Sequence, residues 1–272
     1  MAEFMNKFWG YREVISPVKY SFTWKHLIIF FAVMAFVVFF SMYYCRKEEK
    51  RQKIFLILAG VFMLLIEIAR LVWNQSMLKG KGIPVTFWNI VNLDLFHVAL
   101  WFSIIGIFVA LAIGHQRGFA QFLLNFIFSV TCVVAIIDIL VPAGLDNSPY
   151  LIYHFTNLEY IVARAVVILV SMFMGATEWL ANSIDDMWMA IISLIVIFAI
   201  GAGVYFLSDK VVDIIYITGC PWIDATGLAI SSPWHLLVVA LFFFGMQIMM
   251  YIPFDIYRKV HGKEIVDYRK NK

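Results

Sequence analysis

The sequence is poor in charged residues and in cysteines. Lys, Arg, Asp and Glu make up 14% of the 272 residues, whereas soluble domains carry about a quarter. Hydrophobic residues reach 63%, so the chain belongs to the membrane class and has no polar stretch long enough for a separate soluble domain. The net charge of +3 is small and the basic residues flank apolar runs, so we expect no nucleic-acid partner.

The three cysteines, Cys45, Cys132 and Cys220, have neither the spacing of a metal site nor that of a disulfide framework. Cys132 lies inside an apolar run and is expected to be a small packing residue, while Cys220 is a weak candidate nucleophile. We predict no cofactor and no metal. The N-terminus lacks the layout of a cleaved signal peptide, so the first apolar run is expected to be a retained helix.

Seven apolar runs have the length of about 20 residues that crosses a bilayer. They cover residues 27–45, 54–73, 86–113, 119–141, 151–174, 188–207 and 233–253. The sequence therefore predicts an all-α, polytopic integral membrane protein. Its predicted parts are an N-terminal segment (1–26), a seven-helix transmembrane domain (27–253) and a basic tail (254–272). The semi-apolar connector 208–233 is predicted to be re-entrant or interfacial.

The distribution of basic residues predicts the orientation of the chain. The connector 46–53, the third connector and the tail together hold 12 Lys and Arg, whereas the loops on the other side hold seven. Basic residues favour the cytoplasmic side. We therefore expect the N-terminus outside, the C-terminus in the cytoplasm, and a multi-pass protein of the plasma membrane.

Polar residues within the spans share one depth, near the predicted outer face. They are Glu67, Arg70, Asn89, Asn92, Asp94, His97, Asp138, His154, Asn157, Glu159 and Arg164. Ionisable groups in a membrane usually face a wet cavity or one another, so the shared depth predicts one polar cavity that opens outward. If the third run is one continuous helix, its polar residues cover about 200° of the helix circumference. This spread predicts that the helix is central in the bundle.

These residues have structural as well as functional interpretations. Glu67 and Arg70 can form a structural ion pair at i,i+3, and the asparagines can join helices by hydrogen bonds. A histidine held by a carboxylate, as in Asp94–His97, can serve as a base, proton carrier or metal ligand. Arg164 can hold a lipid phosphate or neutralise an aspartate.

Two further features have similar alternatives. A metal site of His97, His154, Asp94 and Glu159 is chemically allowed. Most tryptophans, Trp73 and Trp222 among them, are expected to mark membrane interfaces.

Several short motifs resemble a known family. They are Glu67 within LLIEIARLVW, Ile83-Pro84-Val85, Val141-Pro142, the stretch from Asp213 to Pro221, and Tyr251-Ile-Pro-Phe254. Between residues 54 and 257 the chain resembles the YwaF-type bacterial integral membrane proteins, a seven-span group related to an animal transmembrane phospholipid acyltransferase.

The resemblance implies acyl transfer or acyl-ester hydrolysis, with a cysteine at the start of the third helix and a histidine on the fifth. This sequence has Trp88 where that cysteine is expected, and Asn157 and Glu159 near the histidine position, one turn after His154. Either other residues of this protein catalyse the reaction, or the protein keeps the fold of the family without the cysteine chemistry.

If the protein is an enzyme, we expect His97 to be the base, oriented by Asp94, and His154 or Arg164 to stabilise the developing negative charge. The nucleophile would be water or an acceptor hydroxyl. The other polar residues at this depth would bind the substrate, a membrane lipid. One alternative is a non-catalytic, transporter-like or accessory subunit that binds a solute or a partner membrane protein in the same cavity. Another is a scaffold whose charges pair completely.

The orientation is testable with reporter fusions in a bacterial host. A green fluorescent protein fused after Lys272 should fluoresce, and alkaline phosphatase at the same place should be inactive. The same two reporters placed in the 79–84 loop should give the opposite pair of signals. Active phosphatase at the C-terminus would contradict the predicted orientation.

Overall fold

The computed structural model describes residues 2–10, 19–146, 148–177, 179–180, 184–210, 212–227, 230–231 and 234–260. Seven of its helices are long and apolar enough to span a membrane, which confirms the predicted fold class. Spans 1 to 7 are Trp24–Cys45, Glu49–Gly80, Leu95–Ile113, Gly118–Leu140, Phe155–Ala176, Met187–Leu207 and Trp234–Val260. No strand occurs in these ranges.

Short helices connect or precede the spans. They are Ala2–Trp9, Phe87–Val91, Ala143–Asp146 and Pro221–Thr226, with a 3₁₀ turn at Ile184–Asp186. Parts of the predicted N-terminal segment and of the basic tail, residues 11–18 and 261–272, lie outside the described residues.

Span 4 occupies the centre of the bundle. In its most apolar window 89% of the residues are buried, against 56% for span 3 and 17% for span 1. The prediction that span 3 would be central is therefore wrong. It assumed one continuous helix whose polar residues point in many directions, and that helix is broken.

The break lies at residues 92–94. Asn92 ends the helix Phe87–Val91 in a left-handed conformation (φ 38°), which asparagine tolerates better than most residues. Asp94 is extended and caps span 3, since its side chain accepts a hydrogen bond from the backbone N–H of His97. The polar residues of this region therefore gather at two helix ends, and they do not encircle one helix.

Span 4 contains a π-helical segment at Phe126–Thr131. A π segment leaves backbone groups that need other partners. Ser171 on span 5 donates to the carbonyl of Ile127 (3.1 Å), and Gln247 on span 7 donates to the carbonyl of Ser129 (3.3 Å). The irregular segment is thus tied to two neighbouring spans.

The connector between spans 6 and 7 folds back into the bundle. Val212, Ile214, Ile215 and Cys220 are buried, and the indole of Trp222 reaches Asp138 on span 4. Burial among protein atoms is how irregular backbone is tolerated at membrane depth. Because of this packing, Trp222 is a core residue rather than the interface marker predicted from the sequence.

Gly106 marks the closest approach of spans 3 and 4. A Cβ at this position would lie 2.9 Å from the backbone oxygen of Leu123, so Gly106→Ala should destabilise the protein by about 1–3 kcal/mol through overpacking. Gly203, on span 6, has no atom within 4 Å of such a Cβ. Gly203→Ala should leave the melting temperature in detergent unchanged or raise it, because alanine favours helix. Equal melting temperatures for the two variants would contradict the close packing.

Candidate functional site: a buried charge network beside the break in span 3

Arg70 holds the broken region in place. Its Nε donates to Glu67 Oε2 (3.0 Å), and its Nη1 donates to the carbonyl of Val91 (3.0 Å) and more weakly to that of Asn92 (3.4 Å). The last carbonyls of a helix have no intrahelical donor. Arg70 satisfies the carbonyl of Val91 at the end of the Phe87–Val91 helix, and Asn74 satisfies that of Ile90. Both Glu67 and Arg70 are buried.

Asp94 orients His97 through one oxygen. Its Oδ1 lies 2.8 Å from the backbone nitrogen of His97 and 2.6 Å from Nδ1 of the ring. When the imidazole is neutral, a proton on Nδ1 leaves Nε2 as the acceptor. The Asp94 side chain is 43% exposed, whereas that of His97 is 8% exposed, so the carboxylate reaches outward while the ring points inward.

The Nε2 of His97 faces two glutamates without bonding to either. It lies 3.6 Å from Glu159 Oε1 and 3.9 Å from Glu67 Oε2. Both Nε2 and Glu159 Oε1 are buried without a hydrogen-bond partner in the described part of the chain. Leaving a buried polar atom unsatisfied costs about 1–3 kcal/mol. The pair therefore lacks one hydrogen-bonding atom, which a water or a ligand lying beside it would supply. We call Glu67, Arg70, Asp94, His97 and Glu159 the His97 cluster.

A second group of charges, the Arg164 cluster, adjoins the first. Arg164 Nε donates to Asp138 Oδ2 (2.7 Å), and the Trp222 indole donates to Asp138 Oδ1 (2.9 Å). The guanidinium carbon lies 4.0 Å from the ring centroid of Phe96 and 3.6 Å from that of Tyr160, and a cation between two aromatic faces is stabilised by their quadrupoles. Arg164 thus pairs with Asp138, which is the structural one of its two predicted roles; binding of a lipid phosphate stays a prediction.

The two clusters together carry excess negative charge. The carboxylates of Glu67, Asp94, Asp138 and Glu159 number four, and the guanidinium groups of the clusters number two. The sum is −2 with a neutral His97 and −1 with a protonated one. This excess negative charge stabilises the positive charge that the His97 ring gains when it accepts a proton.

Three other predicted site residues form hydrogen bonds with backbone carbonyls. The ring nitrogens of His154 lie 2.7 Å from the carbonyl of Gly10 and 2.9 Å from the Thr156 hydroxyl, and burial lowers the pKa of His154 so that it is neutral at pH 7. Asn157 donates to the carbonyls of Tyr150 and Leu151. Asn89 donates to the carbonyl of Pro84.

A pocket of about 440 Å³ opens beside the break. We call it the Asn92 pocket; its walls include Asn74, Trp88, Asn89, Asn92, Leu93 and Asp213. It brings together the two predicted asparagines and the connector between spans 6 and 7. Trp88 contributes an indole to the wall where the resemblance implies a cysteine.

Cys220 is a poor nucleophile in this environment. It is 2% exposed, and burial raises the pKa of its thiol, so the reactive thiolate is scarce at neutral pH. The metal site considered from the sequence also lacks support. No three His, Cys, Asp or Glu side chains form a metal-binding group in the ranges that the structure covers.

Sequence reasoning missed three residues near the site. Tyr160 and Trp222 surround Asp138 and Arg164, and Tyr216 packs its ring 5.0 Å from that of Trp222. Tyr216 has a left-handed backbone (φ 60°), and His235 Nε2 lies 2.5 Å from its carbonyl. The semi-apolar composition of the connector was the one sequence signal that it would leave the surface.

Comparison with known proteins gives a match to a family model. A family model described as the TMEM164 family matches residues 21–252, which include spans 1 to 6 and most of span 7. No curated protein and no solved structure matches the chain.

The buried ion pair should contribute far more to stability than an exposed one. Arg164→Met leaves the carboxylate of Asp138 buried without its guanidinium, which typically costs about 3–5 kcal/mol. Lys53→Met breaks the exposed Lys53–Glu49 pair, for which about 0–1 kcal/mol is expected. Thermal unfolding in detergent should therefore show a large drop only for Arg164→Met. A similar small shift for both variants would contradict the proximity of Arg164 to Asp138.

Proposed function

The chain belongs to the TMEM164 family of multi-pass membrane proteins, and on that premise we propose that it binds a lipid or lipid-linked acyl group and acts on it by acyl transfer or acyl-ester hydrolysis. The observation that carries the proposal is the orientation of His97, whose Nδ1 is held by Asp94 while Nε2 has no hydrogen-bond partner among the described residues. A histidine held in this way can accept a proton from water or a hydroxyl. The resemblance to YwaF-type proteins supports an acyl group as the electrophile.

In the proposed step, the oxygen of water or of an acceptor hydroxyl attacks the acyl carbonyl while His97 Nε2 takes its proton. The carbonyl π electrons move to oxygen and form a tetrahedral oxyanion. When the carbonyl re-forms, the bond to the leaving alkoxide breaks and His97 returns the proton to that oxygen. Asp94 stabilises the imidazolium in between. No side-chain nucleophile is needed, which agrees with Trp88 at the expected cysteine position.

His154 and Arg164 remain the predicted groups for stabilising the oxyanion, but each already bonds to a protein partner, so the proposed step calls for a further donor. We propose Tyr216 for this role, because its ring packs against Trp222, which bonds to Asp138. Burial, followed by the negative charges of Asp94 and Asp138, raises the pKa of Tyr216 well above its usual value, so its hydroxyl remains a donor. Its left-handed backbone costs about 1–2 kcal/mol for a non-glycine residue, and such strain is common at functional sites.

Access to His97 is proposed to run through the Asn92 pocket. In this view Asn89 and Asn92 contact the incoming lipid, and Glu67 and Arg70 hold the break open beneath it. Glu159, on the far side of His97 Nε2, would bind the same ligand or share its proton. Asn157 and His154 would act by fixing the start of span 5.

The alternative is a transporter-like or accessory subunit that binds a solute or a partner protein in the same place. The break at residues 92–94 favours it, because discontinuous helices form the binding sites of many transporters. Both proposals include the predicted orientation, the plasma-membrane location and the three predicted parts of the chain.

Two substitutions test catalysis at His97. His97→Asn should reduce lipid turnover by about 10²–10⁴-fold, the usual contribution of a general base. Asp94→Asn should give a large loss as well, although asparagine caps a helix about as well as aspartate. The full chain would be expressed in cells, and its bound and converted lipids compared by mass spectrometry.

His115→Asn is the matched control, because the same change falls in a separate pocket that His115 shares with Trp179. It should leave turnover intact. Unchanged lipid profiles in folded His97→Asn and Asp94→Asn proteins would refute the enzymatic proposal. The transporter-like alternative would be favoured if the wild type binds a lipid or solute but converts none, and the two variants lose that binding.

A further inference from the structure

The connector between spans 1 and 2 is strongly basic. Residues 46–53 contain five Lys or Arg and two Glu, which gives a local charge of +3. These cations adjoin two long apolar helices, Trp24–Cys45 and Glu49–Gly80. They therefore lie where the hydrocarbon of a membrane meets the lipid headgroups.

Two of the cations face one pocket of about 220 Å³ between spans 1 and 2, whose lining includes Lys47, Arg51, Tyr43 and Tyr44. The Lys47 ammonium lies 4.1 Å from the ring centroid of Tyr43. The Tyr44 ring stacks on that of Phe55 at 4.4 Å, which fixes one wall of the pocket.

The other cations of the connector differ in their partners. Lys53 is paired with Glu49 at 2.8 Å. Neither Lys47 nor Arg51 has a carboxylate partner within the part of the chain that the structure describes. Two unneutralised cations at one pocket favour an anion there.

The rest of the pocket is apolar. Ile54 and Leu58, one and two turns beyond Arg51, are 48% and 62% exposed and also line it. In a bilayer such side chains contact acyl chains. A free phosphate would contact only the cations, whereas a phospholipid would contact both the cations and the apolar side chains of the pocket.

We propose that this pocket binds an anionic phospholipid, with its phosphate between Lys47 and Arg51 and an acyl chain along Ile54 and Leu58. Basic pockets between membrane helices bind anionic headgroups elsewhere. The tyrosines suit the headgroup level, where their rings meet hydrocarbon and their hydroxyls meet water.

The site is separate from the His97 cluster. Arg51 and Glu67 lie 16 residues apart on one helix, which places them about 24 Å apart along its axis. Lipid binding at the basic pocket is therefore independent of whether His97 is catalytic, and either proposal can fail alone.

Native mass spectrometry of the full chain in detergent tests the proposal. The protein would be titrated with phosphatidylglycerol and with phosphatidylcholine of the same acyl chains. The wild type should prefer phosphatidylglycerol. The double variant Lys47→Gln/Arg51→Gln should weaken phosphatidylglycerol binding by about 30-fold, since each basic residue near a membrane contributes about fivefold.

Lys50→Gln/Lys53→Gln is the matched control, because it removes the same charge from the same connector but neither residue lines the pocket. It should keep the preference. Equal losses in both double variants would mean general electrostatic attraction and overturn the proposal. The proposal would also be overturned if millimolar inorganic phosphate displaced the lipid, or if the wild type showed no preference for phosphatidylglycerol. Arg51→Gln alone, at an exposed position, serves if the double variant is unstable.

Discussion

Ionised side chains inside a membrane bundle must find partners within the protein, and most of the architecture near the predicted outer face follows from this constraint. Burying a charge without a partner raises the free energy steeply, whereas burying an apolar group lowers it. Arg70 meets the constraint by bonding to Glu67 and to the carbonyl of Val91 at the end of the Phe87–Val91 helix. Arg164 meets it through Asp138, which in turn binds Trp222 from the connector. These bonds hold the break in span 3 and the returning connector against the central spans.

The same constraint makes the exception at His97 informative. In the described part of the chain, four buried side-chain N or O atoms have no hydrogen-bond partner, and two of them face each other at 3.6 Å in one cluster. Asp94 fixes the other side of the ring. A network that satisfies its remaining charges but leaves this gap is poorly explained as a scaffold alone, because a scaffold gains from complete pairing. It is better explained as a place where another molecule binds.

Much of the fold could be predicted from the sequence, because spanning length and hydrophobicity are properties of local runs. Span 2 is longer than its predicted run by five residues at its start and seven at its end. The one difference that changes the site is at residues 86–94, where Asn92 and Asp94 end and begin helices inside a run predicted to be one span. The pairs Glu67–Arg70 and Asp94–His97 were predictable because each lies at i,i+3. The contacts of Asp138 with Trp222 and of His154 with Gly10 were not, since they join residues 84 and 144 positions apart.

The region beside His97 Nε2 and Glu159 Oε1 decides whether another molecule binds here. An electron cryo-microscopy structure of the full chain in lipid nanodiscs, at a resolution that shows ordered water, measures it directly. The account predicts density for a water or a polar lipid group that bonds to Nε2, with Nδ1 still held by Asp94. A direct His97–Glu159 hydrogen bond of about 3 Å, with no density beside it, would contradict the account.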